Sequence, residues 1–156
     1  MTILATSLGC SSGTPGEPPP LEPEPIPDSG EIPSAHGAVV YDFRAISEGK
    51  VVTEGTIVLE FPEVTDELYD REGVTGTWDL RVLRALPNLG FRTGTGSLAG
   101  NLNSNNVTYL DLVPDVADDD VILRGAFDER GDLAGGWYFA TIAGSVRTGS
   151  FTATAR

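Results

Sequence analysis

The chain is poor in the residues that carry most enzymatic and metal chemistry. Its 156 residues include one cysteine, Cys10, and one histidine, His36. One cysteine excludes an intramolecular disulfide and any multi-cysteine metal site. One histidine argues against a histidine-rich zinc site and against a histidine-based triad, and no Gly-x-Ser-x-Gly elbow is present. Lysine is reduced to Lys50, and the net charge is −13. So acidic a chain repels phosphate backbones, which excludes nucleic acid as an expected partner. No apolar run approaches the ~18–20 residues needed to span a bilayer as a helix.

What is present falls into two compositions. Eight of the 11 prolines precede Ala35, and beyond that point glycine takes over. Residues 1–10 contain Ile3-Leu4-Ala5-Thr6-Ser7-Leu8-Gly9-Cys10, followed by Ser11-Ser12-Gly13. This resembles the end of a bacterial lipoprotein signal peptide, in which small residues precede a cysteine that becomes lipidated. The resemblance implies a lipid anchor at Cys10 and a leader that begins further upstream. Ser11 after the cysteine implies the outer membrane of a Gram-negative envelope. The bland alternative is an incidental cysteine in a disordered terminus.

Residues 11–34 are rich in proline and glutamate. Proline fixes φ and removes backbone donors, and the glutamates repel one another. A disordered, extended, solvated tether of up to ~3.1 Å per residue is expected there.

Residues 35–156 read as one all-β domain. Eight strand-like runs are expected, at 38–45, 51–61, 76–84, 93–98, 107–113, 121–127, 133–142 and 146–155. Alternation is clear in Ile57-x-Leu59-x-Phe61 and in Trp78-x-Leu80-x-Val82, where Asp79 and Arg81 face the other way. Period-2 patterns joined by short turns predict antiparallel pairing with one face buried. Ser47-Glu48-Gly49-Lys50 and Glu129-Arg130-Gly131-Asp132 carry hairpin turn chemistry. A short helix capped by Thr65 and ended by Gly73 is expected between the second and third strands. An eight-stranded meander leaves two raw edges unless it closes. A closed up-and-down barrel is therefore favoured over a β-sandwich, with an interior that side chains just fill or that holds one small ligand.

Gly76-Thr77-Trp78, repeated as Gly135-Gly136-Trp137, resembles the Gly-x-Trp found early in lipocalin and streptavidin-like barrels, where the tryptophan points inside. That resemblance implies a barrel with an interior ligand. The closing Gly149-Ser150-Phe151-Thr152-Ala153 is similar to the last strand of small bacterial envelope lipoproteins of unknown function.

Two readings of the aromatics follow. Trp78, Trp137, Phe139 and Tyr41 line a pocket for a small apolar or aromatic ligand, or they fill the core as large aromatics usually do. The aspartates at 111, 115 and 118–120 concentrate oxygen ligands but lack the spacing of a calcium loop, so a solvated acidic loop is the expectation. No catalytic constellation and no cofactor site are expected. The chain is thus expected to be a non-enzymatic envelope lipoprotein that binds a small ligand inside the barrel. The alternative is a module that contacts another envelope protein through its outer face or acidic loops.

Overall fold

The computed structural model describes residues 37–62, 71–103, 107–116, 119–142 and 144–156. Cys10, His36, the tether at 11–34 and the helix start expected at Thr65 lie outside them. The described secondary structure is all strand: β1 (Gly37–Ser47), β2 (Lys50–Phe61), β3 (Arg71–Val82), β4 (Gly94–Leu102), β5 (Val107–Asp111), β6 (Asp119–Phe127), β7 (Leu133–Thr141) and β8 (Gly144–Ala155). Each strand pairs antiparallel with its sequence neighbour, and β8 returns to β1, closing the barrel. Closure removes both raw edges, as the strand count anticipates.

Local chemistry explains the joins. Glu48 and Gly49 both take positive φ, 53° and 72°, the two-residue turn that matches the twist of a hairpin. Asp128 closes the β6–β7 turn by accepting the backbone N–H groups of Arg130 and Asp132, both at 2.9 Å. At the head of β3 the expectation of a helix ended by Gly73 is corrected. Gly73 lies within the strand at φ 92°, where the register with β4 shifts between Glu72 and Val74. The glycine serves a bulge rather than a helix stop.

The interior is aromatic and aliphatic. All six phenylalanines are buried, with Trp137, Tyr41 and a surrounding set of leucines. Outward positions carry Asp42, Arg44, Glu54, Glu60, Asp79 and Arg81. That polarity is the reverse of a membrane-spanning barrel, whose outer band is apolar. Glycine allows the wall to turn tightly. A Cβ on Gly76 would lie 1.8 Å from the Val58 carbonyl oxygen, so only glycine lets β2 and β3 approach so closely. Across the register small residues face large ones: Gly76 pairs with Leu59 and Leu98, and Trp78 with Ile57 and Gly96.

Candidate functional site

The four residues expected to hold a ligand separate into three places. Trp137 and Phe139 sit on β7 in the interior, 1% and 7% exposed. Tyr41 lies nearer the opposite end, its ring 6.3 Å from that of Phe127. Its hydroxyl is buried without a hydrogen-bond partner among the described residues. Burial, and then the charge of Asp132, push that phenol up to about 12. Trp78 is half-buried and belongs to the wall. Its indole N–H donates to the Ser97 carbonyl at 3.0 Å and to the Leu112 carbonyl at 2.7 Å. The reason lies in the register. β4 and β5 pair only over Ala99–Leu102 and Thr108–Asp111, so the start of β4 has no ladder partner on that side. Trp78 bridges this seam from within.

The space between Trp78 and Trp137 is taken by the chain itself. Residues 83–93 connect β3 to β4, and Val82 N–H donates to Thr93 Oγ1 at 3.0 Å across the base of that loop. From it Leu89 and Phe91 turn into the barrel, 5% and 8% exposed. The Phe91 ring meets Trp137 edge to face at 5.0 Å and lies 5.9 Å from the Phe43 ring. Asn88 and Gly90 take positive φ, 55° and 77°, to make the reversal. Gly90 lies so close to Phe139 that a Cβ there would come within 2.4 Å of the ring. The void left beside Trp78, Leu80, Phe91 and Leu112 is about 10 Å³, the lower limit for one water molecule.

Arg147 holds this loop down. It projects at the barrel mouth, where its Nε donates to the Pro87 carbonyl at 3.0 Å. Its Nη1 reaches Ser47 Oγ at 3.4 Å and Glu48 at 3.3 Å. Neither Phe91 nor Arg147 stood out in the sequence. The only available signal was an apolar trio, Leu86, Leu89 and Phe91, in a Pro-Asn-Gly connection where polar residues are the rule.

Two aspartates of the acidic stretch have partners, Asp120 Oδ1 is buried without one among the described residues, and Asp118 lies outside those residues. Asp111 accepts the Val113 N–H at 2.8 Å, and Asp119 pairs with Arg92 across the top of the seam. Burial, with help from the charge of Asp120, raises Asp111 above the usual carboxylate range, against the opposing Val113 bond. Among the described residues no three acidic, histidine or cysteine side chains gather into a metal site. Tyr109 and Tyr138 join hydroxyl to hydroxyl at 2.7 Å on the outer wall, and burial and that bond push Tyr109 up to about 12.

A second concavity lies outside. A groove of about 360 Å³ runs over β2, β3 and β4, lined by Thr56, Val58, Thr77, Trp78, Asp79, Thr95 and Gly96. The register sets Asp79 between Thr56 on one side and Thr95 on the other. Two ion pairs flank the groove, Arg81 with Glu54 and Arg156 with Asp42. Arg156 Nη2 also donates to Thr56 Oγ1 at 3.1 Å.

With this geometry in hand, comparison with known proteins gives no relative: no family model, curated protein or solved structure matches the chain.

Proposed function

We propose that this chain is a non-enzymatic binding module of a bacterial envelope, anchored by lipid at Cys10, that makes its contacts with the outside of the barrel. The single observation behind the outer-face reading is the occupied interior. Phe91 stands where a ring-sized ligand would stack on Trp137, and about 10 Å³ remains beside it. Ligand sites of the usual kind need several hundred cubic ångströms. The anchor reading is supported by the lipobox-like segment before Cys10 and the proline-rich spacer behind it.

The interior reading is tested by titrating the full chain with N-phenylnaphthylamine while following tryptophan fluorescence. The expected result is no saturable change. A stoichiometric complex lost on Trp137→Ala would restore the carrier reading, which the buried hydroxyls of Tyr41 and Thr53, unpartnered among the described residues, support. The anchor is tested by fractionating cells that express the chain behind a complete leader. Membrane association is expected to disappear in Cys10→Ser, and its persistence would refute lipidation.

A further inference from the structure

We propose that the groove over β2–β4 binds a sugar ring of an uncharged glycan; this rests on the outer-face reading above. Its volume, about 360 Å³, lies at the lower end of the range for small-molecule sites and suits one monosaccharide with its linkages. Asp79 forms no hydrogen bond or ion pair among the described residues. A carboxylate only accepts, and its bonds from hydroxyl donors are short and strong. Two neighbouring sugar hydroxyls match its two oxygens. Thr56, Thr77 and Thr95 surround it with hydroxyls that both donate and accept. Thr56 Oγ1 already accepts from Arg156, which leaves its own O–H to donate outward. The remaining lining is Val58, Trp78 and the bare backbone at Gly96. An apolar strip beside a carboxylate fits a pyranose, which has a C–H face and a hydroxyl rim.

The other ligand classes fit less well. An anion would meet Asp79 on a chain of net charge −13. A purely apolar ligand would desolvate Asp79 and return no hydrogen bond. A cation would approach between the guanidinium groups of Arg81 and Arg156, which already hold Glu54 and Asp42. An uncharged polyol suffers none of these penalties.

The test is amide NMR of the full chain with maltose, cellobiose and N,N′-diacetylchitobiose in turn, each at ~10 mM, enough to fill most of a site of ~1 mM Kd. At least one sugar is expected to give saturable shifts centred on Thr56, Thr77, Asp79, Thr95 and Gly96. Asp79→Asn and Thr77→Val both alter outward side chains, and their unperturbed spectra report an intact barrel. Asp79→Asn is expected to weaken binding ~10- to 100-fold, the worth of a hydrogen bond to a charged group. Absence of saturable shifts with all three sugars would overturn the proposal, as would shifts centred elsewhere or tighter binding of N-acetylarginine amide. Failure here leaves the outer-face reading standing. That reading falls only if an apolar probe enters the interior.

Discussion

Truncating Phe91 separates a filled core from a removable stopper. Phe91 is 8% exposed, with its ring 5.0 Å from Trp137 and 5.9 Å from Phe43. Removing a buried phenyl forfeits ~2–3 kcal/mol of transfer free energy. The lost edge-to-face contacts add ~0.5–1.5 kcal/mol. A cavity contributes further, because barrel walls fixed by hydrogen bonds collapse poorly. The expected cost of Phe91→Ala is therefore ~3–5 kcal/mol, a large share of the ~5–15 kcal/mol that holds a domain together. Urea titration followed by tryptophan fluorescence measures it, with an unchanged slope if the fold is retained. Benzene supplies the second arm. At 100 times its dissociation constant a cavity ligand returns ~2.7 kcal/mol, and only the variant should gain it. A loss under ~1 kcal/mol would refute the packing argument. So would equal stabilisation of the unmutated chain by benzene, since the loop would then be leaving the barrel without cost.

The remaining predictions follow from single contacts. Gly76→Ala places a Cβ 1.8 Å from the Val58 carbonyl oxygen and should cost at least ~3 kcal/mol, whereas Gly136→Ala, whose nearest neighbour is 3.6 Å away, should cost under ~1 kcal/mol; thermal unfolding compares them. Trp78→Phe leaves the Ser97 and Leu112 carbonyls without their indole donor and should cost ~1–2 kcal/mol, with faster amide exchange along the seam between β4 and β5. Asp42 and Asp111 should respond to pH with opposite sign. The hydrogen bond from Arg156 holds Asp42 below its ordinary value of 3.8, so its contribution is present above that pH and is lost as pH falls through the lowered value. Burial holds Asp111 above 3.8, so its contribution is full below that pH and is lost as pH rises through the raised value. At pH 7 Asp42→Asn should therefore destabilise and Asp111→Asn stabilise, and both differences should shrink in acid denaturation series; equal signs would refute the assignment.

The barrel was legible because its evidence is local. Ile57, Leu59 and Phe61 alternate as a strand must, and Glu48-Gly49 can hardly be anything but a hairpin turn. Where residues lose that alternation the reading slipped. Arg71-Glu72-Gly73-Val74-Thr75 looks like the end of an acidic connection, yet it forms the head of β3 because a bulge at Gly73 absorbs the irregularity. Leu112 and Val113 continue the alternation of β5, but the strand ends at Asp111. Alternation places Trp78 inward, where it packs against the core; that it also bridges a seam depends on the unequal lengths of β4 and β5, a property of register. The site was less legible still. Leu86-Pro87-Asn88-Leu89-Gly90-Phe91 has no period to interpret, and its burial is decided by the mouth it covers. The outer groove joins residues from three strands, whose neighbourhood exists only once Thr56, Asp79 and Thr95 are in register.

Interior and exterior are linked by volume. An eight-stranded barrel is just wide enough to be filled by its own side chains. Here the filling is uneven, because glycines at 76 and 96 stand opposite Leu59, Leu98 and Trp78 and give up space on their wall. The chain fills the far end with Tyr41, Phe61 and Phe127, and the loop end with Phe91, which Arg147 secures by way of the Pro87 carbonyl. Phe91 and a cargo of similar size cannot both stack on Trp137. A ligand that stacks on Trp137 must expel the loop, at a cost of several kcal/mol. The outer groove asks for no such expense: Asp79 and three threonine hydroxyls already face it in the folded chain. Benzene on Phe91→Ala and disaccharides on Asp79→Asn therefore probe the two alternatives independently, and a ligand that needed the loop removed would be detected by the first and missed by the second.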